Sequence, residues 1–197
     1  QLELNKELGN VIKGRGNGVI EMDINPSKDI FDIKGDYNIE EGSYKFVVLG
    51  VLAKDFVIQP GGNISFNGDI MNSNLNLTAT YNTKASVSTL IADTSSVATR
   101  RPIECGIKMS GALSNPRLGF SIDIDDLDPI IKGRVDGALS TDDKVLKQFM
   151  AILVSGSFIP DEQSSIVNNT TILYSNASEI LANQFNNIFR QLGIPLD

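Results

Sequence analysis

Histidine and tryptophan are absent from this chain of 197 residues, and cysteine occurs once. Without imidazole there is no usual general base, no commonest zinc ligand and no triad built on histidine. The lone Cys105 makes neither an internal disulfide nor a multi-cysteine metal site. Positive charge is also short: 17 Lys and Arg stand against 24 Asp and Glu, a net charge of −7, which disfavours nucleic acid as a partner. No apolar run reaches the roughly 18–20 residues of a spanning helix. The opening Gln1-Leu2-Glu3-Leu4 has neither a basic nor an apolar leader region, so targeting and membrane association are expected from segments outside this chain. These absences argue against an enzyme.

What is present is alternation. Ile20, Met22 and Ile24 alternate with Val19, Glu21 and Asp23, and Phe31 and Ile33 with Asp32 and Lys34. The apolar row continues through Tyr37 and Ile39, then Tyr44, Phe46 and Val48, then Phe56 with Ile58, then Ile64 with Phe66. Leu75, Leu77, Ala79 and Tyr81 follow, then Ile103, Cys105, Ile107 and Met109, and finally Leu118, Phe120, Ile122 and Ile124. A period of two marks strands with one apolar and one polar face. Turn residues stand at Asn25-Pro26-Ser27, Glu41-Gly42-Ser43, Pro60-Gly61-Gly62, Gly68-Asp69 and Ser114-Asn115-Pro116, which predicts an antiparallel meander. Residues 85–101, rich in Ser, Thr and Ala, read as a loop with one short element.

After Asp126 the period lengthens. Asp128-Pro129 reads as an N-cap with proline at the first helical position, followed by Ile131, Val135 and Leu139. A second helix starts near Ser140 or Thr141, with Asp142 and Asp143 at its positive end. Val145, Leu146, Phe149, Met150, Ile152 and Leu153 form its apolar stripe. A polar connection over 163–178 leads to a third amphipathic helix over about 176–192, which reads as a lid. The expected organisation is one domain, with a sheet over 1–126 and a helical segment over 127–197 packing on or capping it.

Each buried large apolar side chain is worth ~1.5–3 kcal/mol, so a whole row cannot be left in water. The residues allow a filled sandwich core, a closed barrel or one sheet curled around its own apolar face. Cys105, inside an apolar row, reads as a small buried hydrophobe. Asp123, Asp125, Asp126 and Asp128 have the charge to attract Ca²⁺, but they read better as a solvated strand face plus a helix cap. Gly14-Arg15-Gly16-Asn17-Gly18 lacks the Lys-Ser/Thr ending of a phosphate loop and reads as a strand bend or bulge. No metal or cofactor is called for.

Three stretches together resemble the C-terminal domain of the TamB family. They are Gly16-Asn17-Gly18-Val19-Ile20-Glu21-Met22-Asp23-Ile24-Asn25-Pro26, Phe31-Asp32-Ile33-Lys34-Gly35-Asp36-Tyr37 and Glu41-Gly42-Ser43-Tyr44-Lys45-Phe46. The likeness continues through Phe56-Val57-Ile58, Gly61-Gly62-Asn63-Ile64-Ser65-Phe66-Asn67-Gly68-Asp69, Leu75–Tyr81, Gly111–Ile124 and Leu139-Ser140-Thr141-Asp142-Asp143, so it covers residues 8–192. Ile70 stands where the family often has proline, and Phe66 stands at or beside a family tryptophan. The resemblance implies a mainly β fold: an antiparallel meander curled into a trough with an apolar interior, sometimes called a β-taco, followed by two or three short C-terminal helices. It implies a module of a longer periplasmic protein, anchored in the inner membrane of a Gram-negative cell. Its partners would be phospholipid acyl chains lying in the trough and an outer-membrane barrel protein of the TamA or BamA type. The alternatives are a scaffold that supports outer-membrane protein assembly by β-augmentation, or a plain filled β-sandwich interaction domain.

Overall fold

A computed structural model describes residues 2–4, 12–28, 30–48, 52–92 and 99–160. The alternating segments form strands β1 (Leu2–Leu4), β2 (Ile12–Asn25), β3 (Ile30–Val48), β4 (Leu52–Ile58), β5 (Asn63–Gly68), β6 (Asn74–Ser86), β7 (Arg100–Ala112) and β8 (Arg117–Ile124). Three helices follow from the change of period and the short element: α1 (Val87–Leu90), α2 (Pro129–Ala138) and α3 (Asp142–Ser155). The strands run in the order β1-β2-β3-β4-β6-β7-β8, with β5 pairing to β3 and β6. The fold class read from the sequence, a mainly β antiparallel meander followed by short C-terminal helices, is the observed one. The third helix expected over 176–192 and the connection over 163–178 lie outside the described residues.

Two of the expected turns do not reverse the chain. Glu41-Gly42-Ser43 lies inside β3, which runs unbroken for 19 residues. Arg15 pairs with Glu41 but Gly16 pairs with Ile39, so β3 carries one extra residue, Glu40, at a β-bulge. A bulge shifts the inward parity of the chain from odd to even numbers, which in sequence looks the same as a turn. The Asn17 amide donates to the Glu40 carboxylate at 2.6 Å across this bulge. The expected bend in Gly14–Gly18 is therefore present, as the β2 side of the bulge.

Pro60-Gly61-Gly62 also fails to reverse the chain. β4 pairs with residues 42–48 of β3, and β5 with residues 33–38 of the same strand. Because β2 pairs with both stretches as well, β4 and β5 must share the opposite edge of β3. They are two pieces of one broken strand. Gly61 takes a positive φ of 89° at the break, its N–H donates to the Ile39 carbonyl at 3.1 Å, and Ile39 donates to the Gly62 carbonyl at 2.8 Å. The other turns are as read. Pro26–Lys28 and Ile70–Asn72 are single 3₁₀ turns, and Asn115 donates to the Ala112 carbonyl at 3.0 Å between β7 and β8.

The described residues divide into two compact units, one of those up to residue 79 together with 108–118, the other of those from 80 to 107 together with 119–160. In the second unit α2 is capped by Asp128, whose Oδ1 accepts from Ile130 N at 2.9 Å, and α3 by Thr141, whose Oγ1 accepts from Lys144 N at 3.3 Å. Phe149 of α3 meets Phe120 of β8 with ring centroids 5.0 Å apart. With it, Leu146, Ile152 and Leu153 are buried to 1% exposure or less. One polar residue interrupts that stripe. Gln148, 1% exposed, donates from Nε2 to the Ile159 carbonyl at 2.8 Å and accepts from Ile159 N at 3.0 Å, so its burial leaves no amide group unpaired.

In the first unit, glycine allows β2 and β3 to pair closely and restricts their register. A Cβ on Gly18 would run into the Asp36 carbonyl oxygen, and one on Gly35, which has φ +125°, into that of Val19. A register slip of two residues would bring Ile20 or Gly16 to the place of Gly18, and only the glycine is tolerated there. Gly35→Ala should therefore cost about 1–3 kcal/mol in urea unfolding. At Gly133 of α2 an added Cβ would meet nothing within 4 Å, so Gly133→Ala should instead stabilise by about 1 kcal/mol.

Candidate functional site

The register of the first unit sorts the alternating residues into rungs, because directly paired residues share a face. On the apolar face Ile24 stands opposite Phe31, and Met22 opposite Ile33 and then Gly68. Ile20 lies opposite Gly35 and then Phe66, and Gly18 opposite Tyr37, Ile64 and Leu75. Beyond the bulge the rungs are Gly14–Gly42–Ile58, Ile12–Tyr44–Phe56, Phe46–Lys54 and Val48–Leu52. Large side chains thus stand over glycines: Tyr37 over Gly18, Ile33 beside Gly68, and Ile20 and Phe66 on either side of Gly35. That complementarity is visible in the sequence only once the register is known.

Burial divides this face in two. In the β3–β4 half, Phe56 is 0% exposed, Tyr44 1% and Ile58 2%. There the ring of Phe46 meets those of Tyr44 and Phe56 at centroid distances of 5.9 and 6.0 Å, the second contact edge-on. Ile39, Leu75, Leu77 and Met109 are buried as well. Lys54, half-buried opposite Phe46, is the exception in its row. In the β2–β3–β5 half Ile33, Ile39 and Gly68 are buried. Phe31, Tyr37, Ile64 and Phe66 are half-buried, and Ile20, Met22 and Ile24 are 37%, 63% and 53% exposed. Leu118 is half-buried; in the second unit Ile107 is buried and Tyr81, Phe120 and Ile122 are half-buried.

The opposite face is polar. Asn17, Asn38, Asn63 and Asn76 occupy one rung across four strands. Asp36 accepts from the Ser65 hydroxyl, and Arg15 pairs with Glu41 at 2.7 Å. The hydrogen bond and charge of Asp32 hold the Lys34 ammonium, raising its pKa. An open cleft of about 450 Å³ lies at Lys13, Gly14, Arg15, Glu41, Gly42 and Ser43.

The acidic cluster is spread out. Asp123, Asp125, Asp126 and Asp128 are all exposed; Asp128 caps α2, and the Asp126 carbonyl accepts from Arg101 at 2.7 Å. Cys105 is fully buried, and burial first, then the charges of Glu104 and Asp123, push its thiol pKa up to about 12. No described helix is long and apolar enough to cross a membrane.

The first unit thus presents an antiparallel sheet with one apolar face, buried over the β3–β4 half and half-buried to exposed along most of β2, β3 and β5. The family model for the TamB C-terminal domain matches residues 1–197, the whole chain, and the chain belongs to that family. It is a TamB-type module of an envelope protein. No curated protein and no solved structure matches it.

A raised thiol pKa keeps Cys105 protonated at neutral pH, and its thiolate fraction grows only as pH approaches 12. The native protein should therefore leave a thiol reagent such as DTNB unreacted at pH 8, with one equivalent of thiol released only on unfolding. Rapid reaction of the native protein would show that β7 opens.

Proposed function

We propose that this chain is a non-enzymatic surface for phospholipid acyl chains, acting in lipid movement between the two membranes of the envelope. The observation that carries the reading is the wet half of the apolar face. Ile20, Met22 and Ile24, with Phe31, Tyr37, Ile64 and Phe66 beside them, form a contiguous apolar area that a soluble monomer has no reason to leave exposed. Acyl chains would be held there by burial alone, at ~0.8 kcal/mol per methylene, with no residue doing chemistry.

On this reading the site residues fall into two groups. In the first unit Tyr44, Phe46, Phe56, Ile58, Leu75, Leu77 and Met109 form packed wall, while the exposed and half-buried β2–β3–β5 residues touch lipid; Ile107 is buried within the second unit. Ile39, Val48, Tyr81, Leu118, Phe120 and Ile122 continue the alternating rows. Family membership supports a periplasmic location and a TamA-type outer-membrane barrel protein as partner.

The test is photo-crosslinking from a benzophenone side chain at Met22, at Phe66, or at Phe56 as a packed control, in protein purified without detergent. Phospholipid adducts are expected at the first two positions and not at the third. Met22→Asp should remove its neighbours' adducts while the fold survives, because that side chain is 63% exposed. Absence of lipid adducts at Met22 and Phe66 would refute the reading.

A further inference from the structure

The acyl face runs out to the turn that closes the β2–β3 hairpin. Its last pair, Ile24 with Phe31, is followed by Asn25 with Ile30, and Pro26–Lys28 then joins the strands in one 3₁₀ turn. Of the eight large hydrophobic side chains exposed among the described residues, five belong to these two strands: Val19, Ile20, Met22, Ile24 and Ile30. They do not share one face. Ile20, Met22 and Ile24 lie on the acyl face, whereas Ile30, 38% exposed and paired with Asn25, alternates to the polar side. The closed end of the hairpin is therefore apolar on both sides. A lone acyl chain or a groove in another protein covers one face of a strand pair, but the interfacial layer of a bilayer surrounds a tip that enters it.

Strand rise sets the depth. At about 3.3 Å per residue, the pairs Ile24 with Phe31 and Asn25 with Ile30 occupy roughly the last 7 Å before the turn. Interfacial apolar elements are buried by ~5–10 Å, so these two pairs would enter the layer. The next pair back is Asp23 with Asp32, and Glu21 with Lys34 lies two pairs further. Carboxylates there stop deeper entry, because charge is costly in hydrocarbon. Lys28, exposed in the turn, has the long stem that lets an ammonium stay among phosphates while its methylenes are covered. Residues 21–34 hold four carboxylates and two lysines, so the fitting surface is zwitterionic, and an anionic one would repel the hairpin.

We propose that the closed end of the β2–β3 hairpin, residues 24–31, docks into the interfacial layer of a zwitterionic phospholipid bilayer and brings the acyl face into contact with it. This rests on the acyl-chain reading and adds the place where chains enter or leave. Ile24 and Phe31 serve both the face and the tip, while Ile30 serves the tip alone.

Cys105 is buried, so Ser27→Cys supplies a single reactive thiol at the turn, and Ser43→Cys one on the polar face of β3 away from it. Each variant of the whole chain would carry the polarity-sensitive dye NBD and be mixed with phosphatidylcholine vesicles. Fluorescence at position 27 should rise severalfold and shift to the blue, with no change at position 43. In flotation of the unlabelled chain, Ile30→Asp should weaken vesicle binding by roughly tenfold, because it puts a charge into the interfacial layer. Val57→Asp, at a side chain 55% exposed on β4, should leave binding unchanged, and circular dichroism checks that both variants stay folded. Adding phosphatidylglycerol to the vesicles should weaken binding at low salt. No vesicle binding, an equal response at positions 27 and 43, or binding unchanged by Ile30→Asp would each overturn the proposal, and tighter binding to phosphatidylglycerol would overturn its zwitterionic surface. Lipid adducts at Phe66 without vesicle binding would overturn this inference and leave the acyl-chain reading standing. Vesicle binding through position 27 without adducts at Met22 and Phe66 would keep the docking and overturn the acyl-chain reading.

Discussion

The close pairing of β2 with β3 through glycine is the constraint on which the rest of this chain depends. β3 is 19 residues long, about 60 Å at strand rise, and carries β2 on one edge and the broken strand β4–β5 on the other. Gly18 and Gly35 sit where any side chain would strike the neighbouring backbone, so steric exclusion forbids the slip that would put Ile20 in the place of Gly18 and restricts the register. Once it is set, Ile24, Met22 and Ile20 must share a face with Phe31, Ile33 and Phe66. The Glu40 bulge then carries the same face on to Tyr44 and Phe46 in spite of the change in parity.

From that register follows the contrast in burial along one face. The alternation of Ile20, Met22 and Ile24 is as clean as that of Tyr44 and Phe46, yet the first three are exposed and the last two are not. What differs is neighbours. Tyr44 has β2 on one side and β4 on the other, and Phe46 has β4 beside it, both with aromatic contacts, while beyond Gly14 β2 has a described strand on one side only.

Much of this was legible in the residues and some was not, for physical reasons. Alternation located the strands, Asp128 and Thr141 the helix starts, and the glycines near Arg15 the bulge. Cys105 was readable as buried because it sits in an apolar row. Glu40 was not readable, because one inserted residue beside Gly42 and Ser43 shifts parity in the same way as a turn. Pro60-Gly61-Gly62 misled similarly: its residues suit a reversal, but pairing with β3 on both sides of the break keeps β4 and β5 collinear. Gln148 was invisible to periodicity, since its partner Ile159 lies eleven residues onward and satisfies it through the backbone. Exposure of the β2 row was out of reach of any local pattern, because it depends on which strands lie next to which.

The absence of tryptophan allows the central claim, a lipid-accessible half and a packed half of one face, to be read optically. Single-tryptophan variants Met22→Trp and Phe46→Trp would be titrated with phosphatidylcholine brominated in its acyl chains. The account predicts strong quenching at position 22 and little at position 46. Equal quenching at both positions, or none at position 22, would contradict it.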